Sequence, residues 1–270
     1  MMPKTETFDN LLTKPERKLL ASLTTPAKIQ AFLDTLTYSS EDIYRCPLRV
    51  LRDRIGHCFD GASFAAAALR RLGHSPLIID MLPTNRDDDH MLALYKRDGY
   101  WGAVAKSNFV GLRYREPIFR TLRELVLSYF EQYYNVAGEK TLRSYTVPLN
   151  LSAFDKYNWL TDDAAMDRIA DRLGEIRKVR LLTQRMVANL SPVDPRSLEA
   201  GPRTALRSPW PISPTATEWK VRSSRASSTL ASSWNRAWNM ESAARTAARN
   251  AKMIGLLRSL CIQKAGPGGV

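Results

Sequence analysis

Apolar residues recur at helical spacing through the first third of the chain. The stripe from Ile29 to Leu36 follows Thr25-Pro26, a pair typical of a helix start because Thr caps free N–H groups and Pro fits the first turn. A second short helix is predicted over 48–54. The clearest helix is predicted over 59–72, where four successive Ala residues favour helix and Gly73 supplies a natural stop.

The pattern changes to that of a β-sheet after Gly73. Short apolar runs at 76–82, 91–95 and 100–105 have the length and the β-branched residues of strands. Asp98-Gly99 joins the last two runs, and this dipeptide is a strong signal for a two-residue hairpin. The sequence therefore predicts an α+β fold in which a helix packs on an antiparallel β-meander.

Helices return in the second half of the body. Apolar residues at helical spacing predict a helix over 120–134, and further helices are predicted over 162–176 and 183–190. Residues 111–117 mix aromatic and basic side chains and are interpreted as a solvated loop. The Pro-containing segment 191–195 is expected to end the regular structure.

The net charge of the chain is concentrated at its C-terminal end. The chain has 270 residues and a net charge of +13, yet residues 201–270 hold 11 Lys and Arg and 2 Glu, a balance of +9. Ser, Arg and Pro are frequent in this stretch and favour disorder, with 234–260 as a candidate basic helix. We therefore expect one domain over 10–200, with its core motifs in 45–135, followed by a basic tail. Only the tail is expected to contact nucleic acid or an acidic surface.

Composition also excludes several classes of protein. No uncharged apolar run approaches the roughly 18 residues that a membrane helix needs. Residues 1–12 carry acids and lack an apolar stretch, so a secretory signal is not expected. The three cysteines, Cys46, Cys58 and Cys261, cannot all pair and lack metal-ligand spacing, which argues against a disulfide framework and a Cys-rich zinc site. The sequence thus predicts a reduced, cytoplasmic protein.

Cys58 is the strongest candidate for chemistry. It stands within Gly56–Ala62, at the junction between a turn and the Ala-rich helix. A thiolate at a helix start faces unpaired main-chain N–H groups and the positive end of the helix dipole. Both lower the pKa of a thiol, and the same N–H groups can serve as an oxyanion hole. The alternative interpretation is a small buried residue that happens to begin a helix.

A cysteine nucleophile needs a base, and His90 is the best placed of the three histidines. His57 adjoins Cys58, so its side chain is expected to point elsewhere, and His74 follows the helix stop in a solvated turn. His90 opens the strand 91–95, at the mouth of the sheet. A Cys that opens a helix and a His that opens a later strand form a layout used for acyl transfer. A polar residue closing a loop is the alternative interpretation of His90.

At these residues the sequence resembles the transglutaminase-like superfamily, especially its small bacterial members. The resemblance covers residues 45–135 and rests on Gly56-His57-Cys58 leading into the helix, on Asp89–Tyr95, and on Gly99–Ala103 with its aromatic residues. Papain-like cysteine peptidases share the order of Cys on a helix and then His on a strand. The resemblance implies a transglutaminase-like α+β fold with a Cys-His-Asp triad, in which Cys58 is the nucleophile and His90 the base.

The third member of that triad is not matched by an acid. The strand over 101–108, where the family has its Asp, contains none. The Asp98-Gly99 turn predicts that residue 90 lies opposite Ser107, and a one-residue bulge would bring Asn108 to the imidazole. Since Asn orients the imidazole in papain-like enzymes, Asn108 is the predicted orienting residue.

The acidic run Asp87–Asp89 is interpreted as a solvated turn. Three consecutive Asp residues cannot direct all their carboxylates to one ion without a curved loop, and the pattern of a Ca²⁺ loop is absent. No metal or organic cofactor is therefore expected. The negative field of the run is expected to raise the pKa of His90.

These observations leave three functional interpretations. The first is thiol-dependent chemistry on the amide bond of a protein, peptide or amide substrate, as hydrolysis or as acyl transfer to an amine. The second is a catalytically inactive transglutaminase-like binding domain, which the missing Asp favours. The third is binding to nucleic acid or a membrane surface through the basic tail, which added salt would weaken.

Overall fold

The computed structural model describes residues 5–41 and 43–198, which all lie in one unit of the chain. The predicted tail over 201–270 and its candidate helix over 234–260 lie outside the described residues, so both stay predictions. Within the described ranges no helix is long and apolar enough to cross a membrane.

Helices cluster in the first third of the chain and return between residues 122 and 188. The α-helices are α1 (Thr5–Asn10), α2 (Lys14–Ser22), α3 (Pro26–Asp34), α4 (Pro47–Asp53), α5 (Cys58–Arg71), α6 (Leu122–Leu127), α7 (Ala164–Glu175) and α8 (Gln184–Ala188), and residues 195–198 are helical as well. Three 3-10 helices cover Val110–Leu112, Phe130–Gln132 and Leu151–Tyr157.

The strands form one small parallel pair and one large antiparallel sheet. They are β1 (Thr37–Tyr38), β2 (Ile55–Gly56), β3 (Leu77–Pro83), β4 (His90–Arg97), β5 (Tyr100–Val104), β6 (Arg115–Phe119), β7 (Leu142–Thr146), β8 (Leu149–Asn150) and β9 (Lys178–Arg180). β1 pairs with β2 in parallel. The large sheet has the order β6-β5-β4-β3-β7-β9, and β8 pairs with β3 beside β7.

The large sheet separates two apolar layers. On β4, Met91, Ala93 and Tyr95 belong to the layer around α5, whereas Leu92 and Leu94 belong to the layer around α6. This alternation follows from the two-residue period of a strand. The predicted α+β class is confirmed, because helices and an antiparallel sheet share one fold.

The predicted hairpin and the predicted helix stop are both confirmed. Asp98 and Gly99 have φ values of 52° and 85°, as a two-residue turn of type I′ requires, and they join Arg97 to its partner Tyr100. Gly73 follows α5 with a φ of 90°, a left-handed value that glycine adopts without strain.

The helix predicted over 120–134 is shorter than expected. It ends at Leu127, and a separate 3-10 helix follows over Phe130–Gln132. Beyond this point Tyr133 is buried, and its phenol oxygen lies 2.7 Å from the carbonyl oxygen of Asp88 and 3.2 Å from that of Met81. Tertiary contacts of this kind compete with the helical pattern of the segment.

The sheet is also wider than the predicted three-stranded meander. Residues 111–117, interpreted from the sequence as a solvated loop, run into β6, where Arg115 pairs with Ala103 and covers the edge of β5. β7, β8 and β9 are 5, 2 and 3 residues long, so they give little alternation for a sequence pattern to detect.

Helix α5 packs closely against the sheet. Ala62, Ala65 and Ala66 are completely buried. Gly61 lies so near the segment after β5 that an added Cβ would be 2.2 Å from the Cβ of Lys106. The contact therefore requires glycine at position 61, and it brings the first turn of α5 against the continuation of β5.

Replacing Gly61 with Ala should destabilise the domain although Ala favours helix. The added methyl group must displace Lys106, so we expect the free energy of unfolding to fall by roughly 1–3 kcal/mol. Gly174→Ala is the matched control, because an added Cβ in α7 meets nothing within 4 Å and should stabilise by up to about 1 kcal/mol. Urea unfolding followed by circular dichroism measures both. A Gly61→Ala variant as stable as the wild type would contradict the contact.

Candidate active site

The start of α5 is fixed by side-chain caps. His57 is the N-cap residue, and its Nδ1 accepts the main-chain N–H of Phe59 at 3.2 Å. Asp60 completes the capping box by accepting the N–H of His57 at 3.2 Å. Cys58 therefore occupies the first helical position, one residue before the predicted start at 59. The His57 side chain is used by the cap, so it is turned away from the role of catalytic base.

Asp60 also ties the start of α5 to the preceding loop. Its completely buried carboxylate accepts the main-chain N–H of Arg45 at 2.8 Å and lies 3.4 Å from the Arg45 guanidinium. Burial raises the pKa of Asp60, and His57 and Arg45 oppose that shift. Donors from both segments therefore converge on one carboxylate.

Cys58 lies where β5 leaves β4. β4 begins at His90, but its pairing with β5 ends at Ala93 and Val104. The beginning of β4 pairs with β3 but not with β5, and the thiol approaches its main chain. Its Sγ lies 4.0 Å from the carbonyl oxygen of Asp89, and the N–H of Met91 also interacts with the sulfur. These two residues flank His90, so the thiol contacts the backbone on both sides of the predicted base.

The Cys58 thiol is protonated in this environment. Burial raises its pKa well above the usual value, the negative charges of Asp89, Asp80 and Asp60 raise it further, and the hydrogen bond from Met91 opposes them. The expectation that the helix start lowers this pKa is therefore wrong. Removing the thiolate from water costs more than the helix N-terminus returns.

A main-chain carbonyl orients the His90 ring. Nε2 lies 2.7 Å from the carbonyl oxygen of Leu112. Since a carbonyl can only accept, Nε2 carries the proton and Nδ1 keeps a lone pair, which is the tautomer that a base needs. Burial lowers the pKa of His90 to about 4, so the ring is neutral at pH 7. The expected rise from the acidic run is wrong, because desolvation of the imidazolium dominates.

A cavity of about 100 Å³ lies beside His90. It is lined by His90, the segment after β5, the acidic run and several aromatic residues: Tyr38, Asp87, Asp88, Asp89, Ser107, Asn108, Phe109, Leu112, Tyr133, Tyr134, Asn135 and Val136. The structure thus brings two of the three predicted site residues, His90 and Asn108, to one cavity. Cys58 is not part of its lining.

Within the described ranges, Cys58 forms no side-chain hydrogen bond with His90, and His90 forms none with Asn108. The Cys58 thiol points to Asp89, and the ring of His90 bonds Leu112 where Asn108 is expected. The register explains the second difference. Pairing of β4 with β5 follows the predicted register only as far as Ala93 and Val104, so nothing in the sheet holds Asn108 opposite His90.

The sequence does not predict two features of the site. The carbonyl of Leu112 is a main-chain atom in a 3-10 helix, and no side-chain pattern marks it. Tyr38 reaches the cavity because β1 pairs with β2, and strands of 2 residues each are too short to show a period.

The acidic run forms local bonds and is less solvated than expected. The partly buried carboxylate of Asp87 accepts the hydroxyl of Thr141 and the main-chain N–H of Asp88. In the ranges that the structure describes, no group of three or more His, Cys, Asp or Glu residues is arranged to hold a metal ion.

Comparison with known proteins adds only a distant likeness. No family model and no curated protein matches the chain. Among solved structures it is similar to Legionella pneumophila LapG, with a TM-score of 0.34 and 16% identity over 61% of this chain and 95% of that chain. The EGTA-treated form of LapG gives a TM-score of 0.34 and 15% identity over 61% and 96% of the two chains. The geometry of the site therefore has to support any assignment of function.

Asp89→Asn should make Cys58 easier to alkylate. Burial raises the pKa of Asp89 to about 6, so above that pH its carboxylate is charged and opposes formation of the thiolate. Without this charge the pKa of Cys58 falls, and iodoacetamide should modify Cys58 several times faster at pH 8. The advantage should shrink as the pH falls toward 6, where wild-type Asp89 also becomes neutral.

Peptide mass spectrometry of Cys58 over a time course measures this rate. Asp87→Asn is the matched control, because its carboxylate is bonded to Thr141 and is not among the charges that act most strongly on the thiol. Equal rates for Asp89→Asn and the wild type at pH 8 would contradict the electrostatic description of the site.

Proposed function

We propose that this chain performs transglutaminase-like thiol chemistry on an amide bond, with Cys58 as nucleophile and His90 as base. One observation carries the proposal: Cys58 opens α5 and contacts the main chain of Asp89 and Met91, the two neighbours of His90. A nucleophile on a capped helix and a base on the adjoining strand are then held by rigid elements.

The reaction follows from the roles of these atoms. Sγ of Cys58 attacks the carbonyl carbon of the amide, and an S–C bond forms while an electron pair moves to the carbonyl oxygen. The thiol proton passes to Nδ1 of His90 and then to the departing amine as the C–N bond breaks. Water or a second amine then attacks the thioester, and the sulfur leaves and regains a proton.

The protonation states of the resting site determine how the proton moves. The thiol and the imidazole are both neutral, so the proton leaves the sulfur during the attack and no ion pair precedes it. The Leu112 carbonyl accepts the Nε2–H of His90 and stabilises the imidazolium that forms. Asn108 lines the same cavity and is proposed to contact the imidazole once substrate is bound.

A non-catalytic binding domain is the second candidate. The burial of Cys58, which is 7% exposed, and the neutral resting states of the thiol and imidazole favour it. Such a domain would use the cavity beside His90 to hold a peptide side chain without attacking it. The two candidates differ in whether a carbonyl carbon reaches the sulfur.

An activated ester distinguishes the two candidates. The parent protein is a Cys46→Ala, Cys261→Ala variant, in which Cys58 is the remaining thiol. With p-nitrophenyl acetate we expect a burst of one p-nitrophenolate per chain and an acetyl group on Cys58, because acylation precedes slower hydrolysis. Stopped-flow absorbance and peptide mass spectrometry measure the two products.

Variants of the predicted pair complete this experiment. Cys58→Ala should abolish the burst, and His90→Gln should slow acylation by roughly 10²–10⁴-fold, the usual range for loss of a general base. His74→Gln is the matched control, because His74 packs against the ring of Tyr95 away from the cavity. A parent protein without a burst, or a burst that survives in Cys58→Ala, would support the binding domain instead.

A further inference from the structure

The last residues that the structure describes lie beside the cavity of the candidate site. Tyr134 lines this cavity, and its hydroxyl donates to the carbonyl oxygen of Ser197 at 2.7 Å. One residue further on, the side chain of Leu198 lies against Gly138, where an added Cβ would be 3.3 Å from its Cδ2. These contacts fix the point from which residues 199–220 continue, within the unit of the chain that contains the cavity.

The cavity carries negative charge. The three carboxyl groups of the acidic run line it, and no Lys or Arg is among the lining residues that the structure describes. Burial raises the pKa of Asp89 to about 6, so its carboxylate is charged at pH 7. Two arginines adjoin lining residues in the chain but pair with other acids. Arg86 lies 2.9 Å from Glu139, and Arg113 lies 3.6 Å from Asp34. The cavity therefore favours a cationic occupant.

Exposed aliphatic side chains adjoin the same carboxyl groups. Val136 lines the cavity and is nevertheless 76% exposed. Val110, which is 59% exposed, directly follows the lining residue Phe109. A surface with apolar groups beside carboxylates suits a chain that places an apolar residue next to a basic one.

The segment that continues from this point has that composition. Residues 203–207 read Arg-Thr-Ala-Leu-Arg, so an apolar residue directly precedes the second Arg. The five residues from Leu198 to Arg203 span at most about 18 Å when extended. This length is enough to return to a cavity whose lining contacts Ser197. A connection this short gives an effective concentration of the order of millimolar, so individually weak contacts suffice.

We propose that residues 203–207 dock in the cavity beside His90 of the same chain. The guanidinium groups of this stretch pair with the carboxylates of the acidic run, and Leu206 packs against Val136. The positive charge that the sequence concentrates after residue 200 then has an acidic partner within the chain itself. A peptide that enters the cavity has to displace the stretch, so docking limits access to His90. The contact does not depend on thiol chemistry and applies equally to a binding domain.

A photo-cross-linker beside the cavity tests the contact in the full chain. Val136 is replaced with p-benzoylphenylalanine, because its exposure leaves room for the larger side chain. After irradiation, we expect peptide mass spectrometry to find the main cross-link within residues 199–220. Ile118 is the matched control position, since it is 67% exposed on β6 and does not line the cavity. A cross-linker there should give a several-fold lower yield with this segment.

Charge reversal tests the pairing itself. Adding Arg203→Glu and Arg207→Glu to the Val136 cross-linking protein should lower the yield with residues 199–220 by roughly tenfold, because attraction becomes like-charge repulsion. Arg177→Glu with Arg185→Glu is the matched control, which changes the net charge equally at two exposed positions away from the cavity. Sodium chloride at about 0.5 M should also lower the yield of the parent protein by screening the charges.

Mixing isotopically light and heavy protein before irradiation separates a contact within one chain from a contact between two. Cross-links that join light to heavy peptides would assign the cavity to a second copy and overturn the inference. A main cross-link outside residues 199–220, or equal yields in the two charge variants, would overturn it as well. None of these measurements uses Cys58. A protein that forms the cross-link but is not acylated therefore loses the proposed function and keeps this inference, and the reverse result separates the two in the same way.

Discussion

The buried carboxylate of Asp60 is the interaction on which the candidate site depends. It accepts hydrogen bonds from the main chain of His57 and Arg45, so it fixes the first turn of α5 and the loop before it together. Gly56 fits this corner because an added Cβ would lie 3.0 Å from the Cβ of Asp60. The helix that starts here carries Cys58 to the beginning of β4, where β5 no longer pairs with that strand. The close contact of Gly61 with Lys106 holds the same turn from the other side.

Burial then determines the charges as well as the positions of the reacting groups. Desolvation raises the pKa of Cys58 and lowers the pKa of His90 to about 4, so both groups rest in their neutral forms. Such a site has no preformed thiolate. Its reaction rate depends on groups that accept the thiol proton and stabilise charge while the S–C bond forms. The tautomer of His90 that the Leu112 carbonyl fixes meets that requirement. The same burial also suits a domain that only binds, which is why chemistry at Cys58 has to be measured.

Local signals in the sequence predict the elements around the site well. Thr25-Pro26, Gly73 and Asp98-Gly99 act within a few residues of themselves, and the structure has the helix start, the helix stop and the turn that they predict. The partner of His90 is different, because Leu112 lies 22 residues away and contributes a main-chain oxygen. The same is true of the extra strands and of the pKa of Cys58, which depend on tertiary pairing and on burial. These properties arise from the packed fold, and no short pattern encodes them.

The central claim is that a substrate carbonyl carbon reaches Sγ of Cys58 from the cavity that contains His90. A crystal structure of the full chain with a short peptide aldehyde tests it most directly, because an aldehyde and a thiol form a hemithioacetal with no other reagent. We predict a bond between Sγ and the aldehyde carbon, with Nδ1 of His90 within hydrogen-bond distance of the adduct and the peptide in the cavity. An aldehyde that leaves Cys58 unmodified, or an adduct with the His90 ring turned away and still bonded only to Leu112, would contradict the claim.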